Sequence, residues 1–168
     1  MFDTVLVAGL GLMGGSMAKT IKARTLSRVL GWNRTRATAE QALADGSIDA
    51  IATDALFREV DLVIIGLYPQ ATVDWLLENM PKMKKGCVIV DMVGVKQFMV
   101  DHLEQAALDA GVHYVGGHPM AGTQYSGFGH ARANLYHNAP MVIVPPDFDN
   151  IELLSRVKEL LSPAGFGS

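Results

Sequence analysis

An α/β fold is predicted, with a doubly wound, mostly parallel sheet and helices on both faces, and three observations predict it. Apolar runs of strand length alternate with helix-period patterns along the chain, the signature of strands joined by crossover helices. The most apolar run, Leu62-Val63-Ile64-Ile65, shows no polar alternation, as expected of a strand buried on both faces. The first apolar run passes directly into a glycine-rich turn, Gly9-Leu10-Gly11-Leu12-Met13-Gly14, that opens a helix.

Each element follows from its residues. Val5, Leu6 and Val7 make residues 4–8 the first strand, and the small and aliphatic residues of 16–24 give the first helix. Residues 29–32 are the second strand, and 35–44 a helix stopped by Gly46. Residues 48–53 form a weaker strand, and 61–67 the clearest of all. Val73, Leu76, Leu77 and Met80 then recur at helical spacing before Pro81. A strand at 87–90 leads to a helix over 96–110, ended by Gly111. Short strands follow at 113–115 and 141–144, and an amphipathic helix at 151–161 closes the chain. No repeat or linker interrupts the pattern, so residues 1–168 read as one domain.

Composition narrows the function classes. Of 168 residues, 49% are hydrophobic and 18% charged, which suits a packed domain rather than a disordered chain. The net charge of −3 and the lack of a basic block argue against a nucleic-acid partner. No apolar run approaches the length of a membrane span. Met1-Phe2-Asp3-Thr4 carries no basic leader, and the single cysteine, Cys87, cannot form an internal disulfide, so a cytoplasmic protein is expected.

The glycine turn has the context of a dinucleotide site. Gly9 permits the tight turn, Gly11 lets the backbone approach a pyrophosphate, and Gly14 allows close packing of helix on strand. The helix N-terminus offers the amides of Leu10, Leu12 and Met13 and their neighbours to the phosphates. At the end of the second strand an acidic residue would bind the ribose hydroxyls of NAD, but the sequence there is Asn33-Arg34-Thr35. Neutral Asn33 would not repel a 2′-phosphate, Arg34 can bind one, and Thr35 adds a hydroxyl, so NADP is expected to be preferred over NAD. Leu67 and Asp91, at the C-terminal ends of later strands, complete the candidate cofactor-binding set.

Two segments of the second half look unlike scaffold. Asp91-Met92-Val93-Gly94-Val95-Lys96 lies at the C-terminal end of a strand. Gly116-Gly117-His118-Pro119-Met120-Ala121-Gly122 continues through Gln124 to Ser126-Gly127, and its glycines predict a shaped loop around a histidine able to move a proton near neutral pH. Together with the glycine turn, these segments resemble the prephenate dehydrogenase family, which includes arogenate and cyclohexadienyl dehydrogenases. The His-Pro-Met-Ala-Gly segment is the most specific part of the resemblance, which covers essentially the whole chain.

The resemblance implies oxidative decarboxylation of prephenate to 4-hydroxyphenylpyruvate, or of arogenate to tyrosine, in tyrosine biosynthesis. It implies His118 as the catalytic base toward the ring hydroxyl and Lys96 at the site floor. Gly94 stands where many members have serine, and Gln124 where many have glutamate, so Gln124 can hydrogen-bond but not gate by charge. Members usually continue into a helical domain that forms a homodimer and completes the substrate pocket. This sequence stops at Ser168, about where that domain should begin, so it reads as the cofactor domain alone. Binding of the dinucleotide without efficient turnover is then expected.

Other readings are weaker. A non-catalytic dinucleotide-binding module acting with a partner chain is the main alternative, and a β-hydroxyacid dehydrogenase shares the glycine turn but not the histidine segment. His130 and His137 lack the spacing of a helical zinc pair and have no cysteine cluster nearby, so no metal is expected. Ser126 lies in no nucleophile-elbow sequence.

Overall fold

In the computed structural model, residues 2–92, 95, 97–119 and 141–144 are described, with the backbone alone for Met13 and for residues 97–98, 116–119 and 141–144. The helix predicted at 151–161, Lys96 and Gln124 lie outside the described residues.

The strands are β1 (Thr4–Ala8), β2 (Arg28–Trp32), β3 (Ala50–Ile51), β4 (Leu62–Ile65), β5 (Val88–Asp91), β6 (His113–Pro119) and β7 (Met141–Val144). The helices are α1 (Leu12–Arg24), α2 (Arg36–Ala44), α3 (Pro69–Asn79) and α4 (Gln97–Ala110). They build a seven-stranded sheet in the order β3-β2-β1-β4-β5-β6-β7. Pairing is parallel from β3 across to β6, and β7 joins antiparallel, with Gly116 opposite Val144 and Pro119 opposite Met141.

The strand order reverses between β1 and β4, and the two cores show why helices must cover both faces. Val5, Val7, Leu62, Ile64, Val88 and Val90 share one core with Met17, Ala18 and Ile21 of α1 and Ala39 and Ala42 of α2. The alternate residues Leu6, Ala8, Val63, Ile65 and Ile89 face the other core, with Val73 and Leu76 of α3 and Leu103 and Ala107 of α4. Right-handed crossovers put helices on one face while the chain steps one way from β1, and on the other face when it steps back. The continuous apolar run of β4 is therefore a consequence of burial on both sides.

Some boundaries differ from the sequence expectation for identifiable reasons. Helix α1 starts at Leu12 rather than at residue 16, because Gly14 packs against the turn instead of breaking the helix. Helix α3 starts at Pro69, where proline's fixed φ and missing N–H cost nothing. Of the strand expected at 48–53 only Ala50 and Ile51 pair as strand, flanked by single bonds from Asp49 N–H and Ala52 N–H to the Val29 and Gly31 carbonyls of β2. A 3₁₀ segment, Asp54–Glu59, follows and seats Phe57 against Trp75 with ring centroids 5.8 Å apart. Strand β6 runs on to Pro119, so Gly116–His118, expected in a loop, carry sheet backbone: Gly116 is held by both β5 and β7, and Gly117 and His118 by β7.

A buried thiol and a half-buried carboxylate mark the N-terminal edge of the sheet. Cys87 is fully buried, and desolvation, aided by the Asp61 charge, pushes its thiol up to about 12. Asp61 clamps β1 to β4: its Oδ2 accepts the N–H groups of Asp3 and Thr4, each at 3.0 Å, and its Oδ1 accepts Lys84 Nζ. Burial raises the Asp61 carboxyl, but the Lys84 ammonium and the two backbone donors outweigh it and hold the group below its ordinary value.

A carboxylate with a depressed folded value adds stability above its unfolded pKa of about 3.9 and loses it as pH falls through the folded value. Asp61→Asn is expected to lower unfolding free energy at pH 7 by about 1.5–3 kcal/mol, the usual worth of hydrogen bonds to a charged group. Urea titrations of both proteins should show that gap closing below about pH 4; a gap independent of pH would refute the clamp.

Candidate functional site

In open α/β sheets ligands bind at the C-terminal strand ends where the strand order reverses. Here that place is the crevice between the ends of β1 and β4, and it is built almost wholly of backbone. Gly9, with φ of +90°, turns the chain out of β1. A Cβ on Gly9 would lie 2.7 Å from the Gly66 carbonyl oxygen and 2.9 Å from Leu67 Cδ2, so the turn touches the residues that follow β4. A Cβ on Gly14 would fall 1.7 Å from the Gly9 carbonyl oxygen, which no side chain can tolerate. Gly66 N–H donates to the Ala8 carbonyl at 2.8 Å and closes the crevice floor.

Gly11 behaves differently. A Cβ there would meet nothing within 4 Å, so its bareness keeps space open rather than packing protein. It is the N-cap of α1 and has no side-chain cap, and the first helical bond runs from Gly15 N–H to the Gly11 carbonyl at 2.8 Å. The amides of Leu12, Met13 and Gly14 therefore have no intrahelical acceptor. The first turn carries no acidic residue, while Lys22 and Arg24 sit in the last turn, so the helix field favours an anion at its open end. A donor set of backbone amides beside a space that any side chain would fill fits a pyrophosphate.

At the end of β2 the candidates separate. Asn33 is half-buried and turned to the glycine turn: its Oδ1 accepts the Leu10 N–H at 2.9 Å, and its Nδ2 donates to the Thr35 carbonyl at 3.0 Å. Expected as a neutral lining of a phosphate site, it also bridges two protein segments. Arg34 is exposed, with no hydrogen bond or ion pair among the described residues, and Thr35 is the N-cap of α2 with its hydroxyl making no cap bond. Arg36 is engaged with Glu40 at 3.2 Å.

Farther along the same sheet edge, Asp91 ends β5 opposite Ile65 of β4 and Gly116 of β6. Its carboxylate is fully buried and accepts the Tyr114 hydroxyl at 2.9 Å. Burial first, and then the Asp91 charge, push the Tyr114 phenol above its ordinary value, so it stays a donor. His118 follows Gly116 along β6, which brings its backbone past the strand end that carries Asp91; its imidazole lies outside the described residues. Sequence reasoning missed Gly66 and Tyr114. A glycine immediately after the most apolar strand was the available signal for the first; nothing in the sequence pairs Tyr114 with Asp91.

Residues 17–166 match the family model described as prephenate dehydrogenase, nucleotide-binding domain. The chain belongs to this family. It is 34% identical over 165 residues to the prephenate dehydrogenase of Bacillus subtilis (strain 168), covering 96% of this chain and 44% of that protein. Synechocystis arogenate dehydrogenase superposes with a TM-score of 0.87 at 27% identity, covering 97% of this chain and 57% of that one. Prephenate dehydrogenase from Aquifex aeolicus, in complex with hydroxyphenyl propionate and NAD+, gives a TM-score of 0.82 at 26% identity, over 99% of this chain and 58% of the other. The chain thus spans about half the length of the relatives it matches.

The three glycines do different work, and substitution should separate them. Gly14→Ala is expected to unfold the domain or lower its thermal midpoint sharply, since backbone must move. Gly11 has φ of −74°, which alanine accepts, so Gly11→Ala should cost only about 1 kcal/mol, the difference between glycine and alanine at a helix N-cap. It should nonetheless weaken dinucleotide binding by about tenfold or more, read by calorimetric titration beside a thermal melt. Unchanged affinity in Gly11→Ala would remove the pyrophosphate from this turn.

Proposed function

We propose that this domain binds a nicotinamide dinucleotide and carries out hydride transfer in the oxidative decarboxylation of prephenate or arogenate, on the route to tyrosine. The observation that carries the reading is the Gly-Gly-His-Pro backbone of β6 running beside Asp91 at the sheet edge that also holds the glycine turn. Family membership and the His-Pro-Met-Ala-Gly segment support the reaction class.

A bound nicotinamide supplies the hydride acceptor. The free amides of Leu12, Met13 and Gly14 at the start of α1 would hold its pyrophosphate and so limit the freedom of the dinucleotide before reaction. His118 takes the proton of the substrate's ring hydroxyl as hydride leaves the same carbon. The electrons of the departing carboxylate's C–C bond fall into the ring as carbon dioxide is lost, the ring oxygen takes the proton back from His118, and the aromatic product makes the step downhill. Lys96 is assigned to the site floor, and Gln124 is assigned to position substrate by hydrogen bonding without a charge of its own.

NADP is proposed as the preferred cofactor. Arg34 is exposed and uncommitted among the described residues, Thr35 has an unused hydroxyl, and no carboxylate stands at the end of β2. The domain is proposed to act in a homodimeric cytoplasmic enzyme, with a small-molecule substrate and no nucleic-acid or membrane partner. No helix among the described residues is long and apolar enough to cross a membrane.

Two measurements test these points. In the whole enzyme that carries this domain, His118→Asn is expected to lower kcat by about two or more orders of magnitude while sparing cofactor affinity. Unchanged turnover would falsify the assignment. Dissociation constants for the two oxidised cofactors should favour NADP+ over NAD+ by about tenfold, the worth of a charge-assisted pair to the 2′-phosphate; tighter NAD+ binding would end that preference.

A further inference from the structure

The bridge made by Asn33 carries a specific role. The β1–β2 ladder ends where Gly9 N–H donates to the Trp32 carbonyl at 2.7 Å. One position on, Leu10 N–H needs an acceptor, and the Asn33 side-chain carbonyl supplies it at 2.9 Å. An amide side chain thus stands in for a further rung of backbone. Its other end donates to the Thr35 carbonyl at 3.0 Å, so one planar group ties the glycine turn to the start of α2. Leu10 is fully buried, and its Cδ1 lies 3.1 Å from where a Cβ on Gly31 would be, so the turn is also seated in the core.

These bonds commit residue 33 to the protein. Its acceptor is taken by Leu10 and one of its donors by Thr35, whereas the neighbouring Arg34 side chain is exposed. We propose that Asn33 is a positioning residue that holds the pyrophosphate turn and the Arg34–Thr35 segment at a fixed separation, and that Arg34 and Thr35, not residue 33, tell a 2′-phosphate from a 2′-hydroxyl. This rests on the reading of the glycine turn as the dinucleotide site. The consequence narrows the sequence expectation, in which neutral Asn33, Arg34 and Thr35 together set the preference. Removing the amide loosens both halves of the site, so every dinucleotide suffers alike.

The experiment measures dissociation constants for NADP+ and NAD+ with the unsubstituted chain, Asn33→Ala, Asn33→Asp and Arg34→Gln, at a temperature where thermal melts show each protein folded. Asn33→Ala should weaken both cofactors by a common factor of about ten, leaving their ratio within about twofold. Arg34→Gln should weaken NADP+ by about tenfold and leave NAD+ within about threefold. Asn33→Asp keeps the acceptor for Leu10 and should not tighten NAD+. A role of residue 33 in direct ribose recognition predicts the opposite: a changed ratio in Asn33→Ala and tighter NAD+ in Asn33→Asp. Either result, or unaltered affinities in Asn33→Ala, overturns the proposal. If Asn33→Ala does not fold, the Asn33→Asp and Arg34→Gln results decide. Binding of neither cofactor by the unsubstituted chain would instead overturn the site reading itself, and this role with it.

Discussion

Everything in this domain depends on three stretches of backbone meeting without side chains between them. Gly9, Gly14 and Gly66 come together where the strand order reverses, and the closest approach leaves 1.7 Å between a hypothetical Gly14 Cβ and the Gly9 carbonyl oxygen. That contact fixes how closely α1 lies on β1. Because Met17, Ala18 and Ile21 of the same helix fill one core, a helix lifted by a methyl group would open the packing along the face. The turn is therefore a structural constraint first, and the open space beside Gly11 is what the constraint leaves for a ligand.

The electrostatics follow from that placement. An uncapped helix start with no acid nearby and bases at the far end makes a field for an anion without any charged side chain at the contact. Farther along the sheet edge the chain does the reverse, burying a carboxylate at Asp91 and securing it with the Tyr114 phenol. The first region suits phosphates, and the second fixes the strand end beside which the His118 backbone passes.

Most of the architecture was legible because burial on two faces writes itself into composition. The run at β4 and the turn after β1 needed no tertiary information. Other features did not show, for physical reasons. The helical start of α1 was hidden because glycine reads as a breaker, although Gly14 is there for contact. Strand β6 was expected to end at residue 115, because Gly116 and Gly117 mimic a loop; pairing with β7, and for Gly116 also with β5, keeps them extended. At the site, the glycines were found by spacing, but Asn33 was assigned a role from its charge, while its hydrogen bonds to Leu10 and Thr35 depend on two turns meeting in space. The Tyr114–Asp91 pair is likewise a property of neighbouring strands, not of local sequence.

Cys87 has a practical meaning in this setting. Only a thiolate reacts readily, and this thiol, buried at the start of β5 with its ionisation pushed up to about 12, is inert while the sheet is closed. As the chain has no other cysteine, any label that arrives there marks a molecule whose sheet has opened at that strand. The domain thus carries an internal clock for its own opening, readable through alkylation kinetics without any engineered probe.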